Sequence, residues 1–213
     1  MQHQLPLAAA VPSTPEVYGF RYIESFLPAD EAWALFDHCM SFRWQRELIR
    51  VFGKQYRAPR LTAWYGDPGA RYRYSGVTRE AETWTRPVSA VRDVLCRELG
   101  ARFNFVLANR YRDGNDCVGW HADDERDLGT EPLIASLSLG ATRRFRIRRN
   151  REIGSGVQPE GNERRGGPWS IDMTHGSLLV MTGRSQADFK HALARTRRSV
   201  GERINLTFRW AEG

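Results

Sequence analysis

Beyond Gly100 the chain breaks into short apolar runs separated by Gly, Pro, Asn and Asp: FNFVLANRY, PLIASLSLG, RRFRIRR, GSLLVMTG, FKHALA and RINLTFRW. Their length and β-branched or aromatic content predict strands of a sandwich or barrel, not βαβ units. RINLTFRW is the most regular. Arg203, Asn205, Thr207 and Arg209 alternate with Ile204, Leu206, Phe208 and Trp210, a period of two that places polar side chains on one face and apolar ones on the other. Before Gly100 the pattern differs. VYGFRYI reads as a strand, and Asp30-Glu31 opens an amphipathic helix in AWALFDHCM, with acidic residues at its positive end. PVSAVRDVLCREL predicts a second helix, with Pro87 near its start and Gly100 just past its end. Helices first and strands afterwards predict a mainly β fold with flanking helices, a jelly roll with the helices on one face. RNREIGSGVQPEGNERRGGPW has no periodicity and reads as a long exposed loop.

One short segment breaks the economy of this pattern. VGWHADDE places His121, Asp123, Asp124 and Glu125 directly after an apolar residue, where burying charge is costly. In a strand His121 and Asp123 point to the same face, and a metal ion would be a sufficient reason for the pair. A second histidine completes a two-histidine, one-carboxylate set, the arrangement that leaves positions open on iron. His175 and His191 both lie in the β-rich half, and each also reads as an ordinary hydrogen-bonded structural histidine. His191 is the one that leads into the polar stripe of RINLTFRW, whose two arginines need an anion to pair with if that face is turned inward. A solvated strand face is the alternative.

Composition narrows the class. With 213 residues, 41% of them hydrophobic, and seven Trp, the chain can bury one core. A single domain over residues 17–213 is expected, preceded by a flexible leader over 1–16. The net charge of +7 rests almost wholly on arginine, which favours an acidic polymer as partner because guanidinium groups pair bidentately with phosphate. An arginine-rich genome would give the same count. Cys39, Cys96 and Cys117 show no CxxC spacing, which gives no support to a disulfide framework or a zinc site. No run approaches a membrane span, so a cytoplasmic bacterial protein is expected, or a nuclear one if the source is eukaryotic, acting as a monomer.

The ordered set NRYRDGNDCVGWHADDE, PLIASLSLGATRRF, HGSLLVM, His191 and RINLTFR resembles the AlkB-like 2-oxoglutarate- and Fe(II)-dependent dioxygenases that repair alkylated nucleic acid. VFGKQYRAPR, WYGDPG and YRYSG bring it closest to the second AlkB homologue type, and the resemblance runs from about Val51 to Trp210. It implies a double-stranded β-helix core over 101–213 and a nucleotide-recognition lid with supporting helices over 17–100. His121, Asp123 and His191 would be the iron ligands. Arg203 and Arg209 would pair with the carboxylates of 2-oxoglutarate, helped by Asn109, Tyr111, Asn205 and Thr207. With O2 as cosubstrate the family hydroxylates an N-alkyl carbon, and the hemiaminal collapses to base and aldehyde, with succinate and CO2 as coproducts.

The substrate residues follow from the same resemblance. Tyr72, Arg73, Tyr74 and Ser75 match the base-pocket segment, in which aromatic faces sandwich a flipped base; a Tyr pair two apart is also ordinary strand sequence. Tyr74 departs from the Phe of the nearest relatives, which leaves adduct preference open. Val51, Phe52 and Gly53, followed by Lys54, match a wedge that fills the gap left by the extruded base. Asp124 and Glu125 would favour a cationic base such as 1-methyladenine or 3-methylcytosine, although Glu125 could equally pair with a neighbouring arginine. Arg60, Arg195, Arg197 and Arg198 would contact the DNA backbone, single- or double-stranded. RNA is the rival substrate. A non-catalytic basic binding module and a hydroxylase of small molecules or proteins are the other readings.

Overall fold

The computed structural model describes residues 16–51, 53–74, 77–150 and 169–211. The leader up to residue 15, most of the Gly-rich loop, Phe52 and Ser75 lie outside the described residues. In chain order the elements are β1 (Phe20–Ile23), α1 (Ala29–Met40), β2 (Leu48–Val51), β3 (Lys54–Arg57), β4 (Leu61–Gly66), β5 (Arg71–Tyr74), β6 (Val77–Glu80), β7 (Glu82–Thr83) and α2 (Arg86–Leu99). The second half adds β8 (Phe105–Tyr111), β9 (Val118–His121), β10 (Ile134–Gly140), β11 (Arg143–Arg149), β12 (Trp169–Met173), β13 (Ser177–Met181), α3 (Ser185–Asp188), β14 (Phe189–Leu193) and β15 (Arg203–Arg209).

Seven strands form the larger sheet, in the order β1-β13-β10-β15-β8-β4-β7, and four form the smaller, β12-β11-β14-β9. Period-two alternation decides what each face does. The odd neighbours Leu137 and Leu139 of β10 and the even positions Ile204, Leu206 and Phe208 of β15 point outward and pack under the helices, against Leu35 and Cys39 of α1 and Val88, Val91 and Leu95 of α2. On the other face Ile134, Leu179 and Met181 meet Ile147, Met173 and Phe189 of the smaller sheet. The protein is a jelly roll with α1 and α2 on one side of the larger sheet, and the inner faces of the two sheets leave room for a site. No helix among the described residues is long and apolar enough to cross a membrane.

Three expectations change. The first half holds more strands than the one expected at VYGFRYI: β4 and β7 join β1 in the larger sheet, so the first hundred residues build the core sheet as well as the helices. β4 escaped the pattern because it is buried on both faces from Thr62 onward, which erases alternation. The strand expected in VYGFRYI begins only at Phe20, because Tyr18 (φ 54°) and Gly19 (φ 80°) form a turn; a Cβ at Gly19 would lie 2.4 Å from the Thr182 carbonyl oxygen. Trp210 falls past the end of β15. It is 37% exposed rather than in the core, and the Arg102 guanidinium sits 4.4 Å from its ring centre.

The connection from β8 to β9 fixes the distance between the sheet and the His121 segment. Arg112 donates from Nε and Nη2 to the two carboxylate oxygens of Asp116 at 2.8 and 2.9 Å, and Arg143 donates to the carbonyls of Asp113, Asp116 and Ala194. Burial alone would raise the Asp116 carboxyl, but its bonds to Arg112 hold it below 3.8. A carboxyl depressed in the folded state contributes stability above its unfolded value, and that contribution is lost as the pH falls through the folded one. Asp116→Asn is therefore expected to cost about 1–2 kcal/mol at neutral pH. The difference from the parent protein should shrink as the pH drops below about 4. Urea midpoints of the two proteins across that range check it; a pH-independent gap would rule out the ion pair as the cause.

Candidate metal centre

β9 is the edge strand of the smaller sheet and pairs with β14, opposing His121 to His191 and Val118 to Leu193. Two residues stand between Val118 and His121 on one strand and only one between His191 and Leu193 on the other, so an extra residue bulges out of β9. Without it Val118 and His121 would face opposite sides. With it both line the same cavity, about 520 Å³ including its mouth, between the two sheets.

His121, Asp123 and His191 bring one ligand atom each to within 4.8 Å of one another. The Nδ1–H of His121 donates to the Gly119 carbonyl at 2.8 Å, which fixes the tautomer and leaves Nε2 with its lone pair, 3.9 Å from Asp123 Oδ1. The His191 ring is 3% exposed, stacks on Phe145 at 5.0 Å between centres, and lies 4.3 Å from the His121 ring. Its Nδ1 is buried with no hydrogen-bond partner among the described residues. Burial pushes both imidazoles below 6.5, His191 to about 3. Burial would raise the Asp123 carboxyl, but the charge and hydrogen bond of the Arg209 guanidinium hold it well below the usual carboxylate range. Two neutral imidazoles and one ionised carboxylate are the protonation states that a divalent cation requires of its ligands.

The polar stripe of β15 faces this cluster. Arg203, Asn205, Thr207 and Arg209 line the cavity together with Asn109 and Tyr111 of β8, which stand opposite Asn205 and Arg203 in the strand register. Arg203 donates to Ser138 Oγ at 2.9 Å and to Asn205 Oδ1 at 2.7 Å. The amide of Asn205 donates onward to Thr207 Oγ1 at 2.7 Å, and the hydroxyl of Ser136 donates to Asn205 Oδ1 at 3.1 Å. Arg203 is 2% exposed, its bonded acceptors Ser138 and Asn205 are neutral, and burial pushes its guanidinium down to about 10. Arg209 is arranged differently. Its Nη2 donates to Asp123 Oδ2 at 2.7 Å, with both side chains 4% exposed. One arginine thus holds the carboxylate of the cluster, while the other is a buried cation facing a cavity of anion-sized polar groups.

One expected assignment changes place, and the histidine passed over for His191 finds its structural role. Arg60, read as a backbone-contacting arginine, is buried at 5% exposure, lines the cavity and donates from Nε to Asn109 Oδ1 at 2.7 Å; a side chain so enclosed does not reach a phosphate at the surface. His175 is structural. Its Nδ1 accepts from the Gly140 N–H at 2.8 Å, and its ring stacks on Trp33. Arg195, Arg197 and Arg198 are exposed in the segment after β14, and Asp124 is exposed while Glu125 is half-buried. Val51 pairs with Lys54 across a turn in which Gly53 has φ 77°. Tyr72, Arg73 and Tyr74 lie on β5, paired with β6. Ser136 and Ser138 were legible and overlooked: SLSLG alternates small polar residues with leucines facing the core. Gln186, whose Oε1 accepts from the Asp123 N–H at 2.9 Å, gave no sequence signal.

Comparison with known proteins agrees with this geometry. The curated relatives include "DNA oxidative demethylase ALKBH2" of Arabidopsis thaliana, 36% identical over 203 residues that cover 88% of this chain and 65% of that protein. The Mus musculus protein of the same name is 40% identical over 161 residues, 76% of this chain and 65% of the relative. Human "Alpha-ketoglutarate-dependent dioxygenase alkB homolog 3" is 40% identical over 193 residues, 86% of this chain and 63% of the relative. The chain thus spans at most about 65% of the length of these relatives. In fold it resembles the solved structure of OsALKBH1, with a TM-score of 0.62 at 16% identity over 92% of this chain and 100% of that one. A prolyl-4-hydroxylase of Pseudomonas putida follows with 0.55 at 17%, covering 92% and 94%. The 2OG-Fe(II) oxygenase superfamily model matches residues 19–209, and with a neutral histidine pair, an ionised carboxylate and a buried arginine on one cavity, the chain belongs to that superfamily and is similar to its AlkB-like members.

Proposed function

We propose that this chain is an Fe(II)- and 2-oxoglutarate-dependent dioxygenase that removes alkyl groups from N-alkylated bases such as 1-methyladenine and 3-methylcytosine in DNA, duplex DNA included. The observation that carries it is the joining of the His121-Asp123-His191 cluster and the buried Arg203 in a single cavity. The residues fit the group: His121, Asp123 and His191 would hold Fe(II) on one face, and Arg203, with Asn109, Tyr111, Asn205 and Thr207, would meet 2-oxoglutarate. When bound, Fe(II), 2-oxoglutarate and O2 supply oxidation of the alkyl carbon, which leaves as aldehyde, with succinate and CO2 as coproducts.

The chain's own part is position, charge and dryness. Arg209 keeps Asp123 ionised and aimed, Gly119 keeps the Nε2 of His121 unprotonated, and Leu107, Val118, Phe145, Met181 and Leu193 wall the cavity with apolar surface. Asp124 and Glu125, immediately after the Asp123 ligand, would favour a cationic base over a neutral one. The DNA partner rests on the activity for which the relatives are named and on the basic surface. Besides Arg195, Arg197 and Arg198, the outer face of the smaller sheet carries Arg146 and Arg148, 5.4 and 4.3 Å from the centre of the Trp120 ring. Arg146 opposes Ala192, so a small residue on β14 lets the indole of β9 reach across to β11.

Duplex DNA with one 3-methylcytosine, incubated with the protein, Fe(II), 2-oxoglutarate and O2, should release formaldehyde in step with restored cytosine and succinate, and His121→Ala should release none. Activity should fall steeply with added salt. The same lesion in a single strand or in RNA ranks the polymers, and faster turnover of the RNA would replace DNA as the substrate. Succinate without formaldehyde from any of them would discard dealkylation.

A further inference from the structure

We infer that Gln186 is a positioning residue of the metal centre: it ties the backbone of Asp123 to the turn that presents His191. This rests on the metal reading above. Asp123 lies two residues past the end of β9 in an irregular stretch, residues 122–125, where no strand ladder receives its peptide. Its N–H donates to Gln186 Oε1 at 2.9 Å, across 63 residues of sequence. Because an N–H only donates, the atom facing it must be the amide oxygen. The amide nitrogen is occupied as well, donating to Ser185 Oγ at 3.2 Å and Met181 Sδ at 3.4 Å.

Gln186 is 3% exposed and Ser185 1%, so the rotamer is held from both ends by enclosed groups. α3 is a single turn that runs directly into β14, and His191 follows Gln186 by five residues. The carboxylate of Asp123 is fixed at its far end by Arg209; Gln186 fixes the near end, and the two together leave the side chain one orientation toward His191. Among the described residues the hydrogen bonds of the Gln186 side chain go to the Asp123 peptide, Ser185 and Met181 and not to the ligand atoms of the cluster, so its effect is on where those atoms stand. Groups that hold a ligand in this way change metal affinity by about 10–100-fold when lost.

The test is Mn(II) binding to the whole chain, read from the electron paramagnetic resonance of the free ion, with far-UV circular dichroism as the control for folding. Gln186→Leu, similar in volume and unable to accept, should bind Mn(II) about 10–100-fold more weakly with an unchanged spectrum. Gln186→Glu keeps an oxygen at the same reach and should stay within about threefold of the parent protein. A purely structural role predicts a less stable Leu variant with parental affinity, and that result, with Asp123→Ala unable to bind, would overturn the proposal and leave the metal centre standing. A parent protein that binds no better than Asp123→Ala would remove the metal centre and the proposal together. Should Gln186→Leu fail to fold, Gln186→Asn, one carbon too short to reach, is judged by the same two outcomes.

Discussion

Replacing Arg209 with methionine is expected to lower the thermal midpoint of the metal-free protein by roughly 6–20 °C. The guanidinium and the Asp123 carboxylate meet at 2.7 Å with both side chains 4% exposed. Removing one partner of such a pair leaves a buried charge without compensation, which costs about 3–5 kcal/mol. For a chain of this size each kcal/mol moves the midpoint by roughly 2–4 °C. Methionine fills much of the vacated volume, so the loss is one of charge and hydrogen bonding rather than of packing. A divalent cation should return part of the stability, because it binds only the folded state and neutralises the same carboxylate. Melting curves with and without Mn(II) measure both effects. A metal-free midpoint within 2 °C of the parent value would mean that Asp123 is not held by Arg209 in solution.

That ion pair shows what alternation could and could not reveal. The period of two in RINLTFRW was enough to put Arg203, Asn205, Thr207 and Arg209 on one face, because a strand has only two faces and the apolar one was unmistakable. It said nothing of what each arginine meets. The sequence suggested one shared anion; the structure adds that Arg209, on the same cavity, also meets Asp123, while Arg203 sits among Ser138, Asn205 and Tyr111. His121 and Asp123 were readable as a pair two apart. The bulge that turns Val118 to the same side as His121 was not, since a bulge is a mismatch between two strands and leaves no mark on one. Arg60 was misplaced by a sound prior, that arginines lie at the surface; its burial depends on Asn109, 49 residues away. Gln186 was invisible for a similar reason. A glutamine in a short polar turn reads as solvated, and only the fold brings the Asp123 peptide to it. What was legible was local and periodic, and what was missed depends on contacts far apart in sequence.

Arg203 should behave in the opposite way to Arg209, although it lies six residues earlier on the same strand and face. Its guanidinium is 2% exposed and its hydrogen bonds include the neutral oxygens of Ser138, Asn205 and Tyr111. Burial, with the like charge of Arg143 nearby, pushes it down to about 10, so the folded protein carries the cost of that cation. Arg203→Met removes the cost along with the bonds. Asn205 Oδ1 still accepts from the Ser136 hydroxyl, and the metal-free protein should stay within about 1 kcal/mol of the parent, in line with the small effect of replacing buried charges by apolar groups of similar size. The large effect should fall on 2-oxoglutarate. A charge-assisted pair between guanidinium and carboxylate, enclosed in a cavity away from water, is worth about 3–4 kcal/mol when one side is deleted, which is roughly a 100- to 1000-fold rise in Kd. Mn(II) affinity should hardly change, because the His121-Asp123-His191 cluster and the Arg209 contact stay in place. Calorimetric titration of the Mn(II)-loaded variant with 2-oxoglutarate, beside a thermal melt, reads both quantities. Parental affinity for 2-oxoglutarate would remove Arg203 as its carboxylate partner, and a collapse in stability with normal affinity would make the residue structural instead.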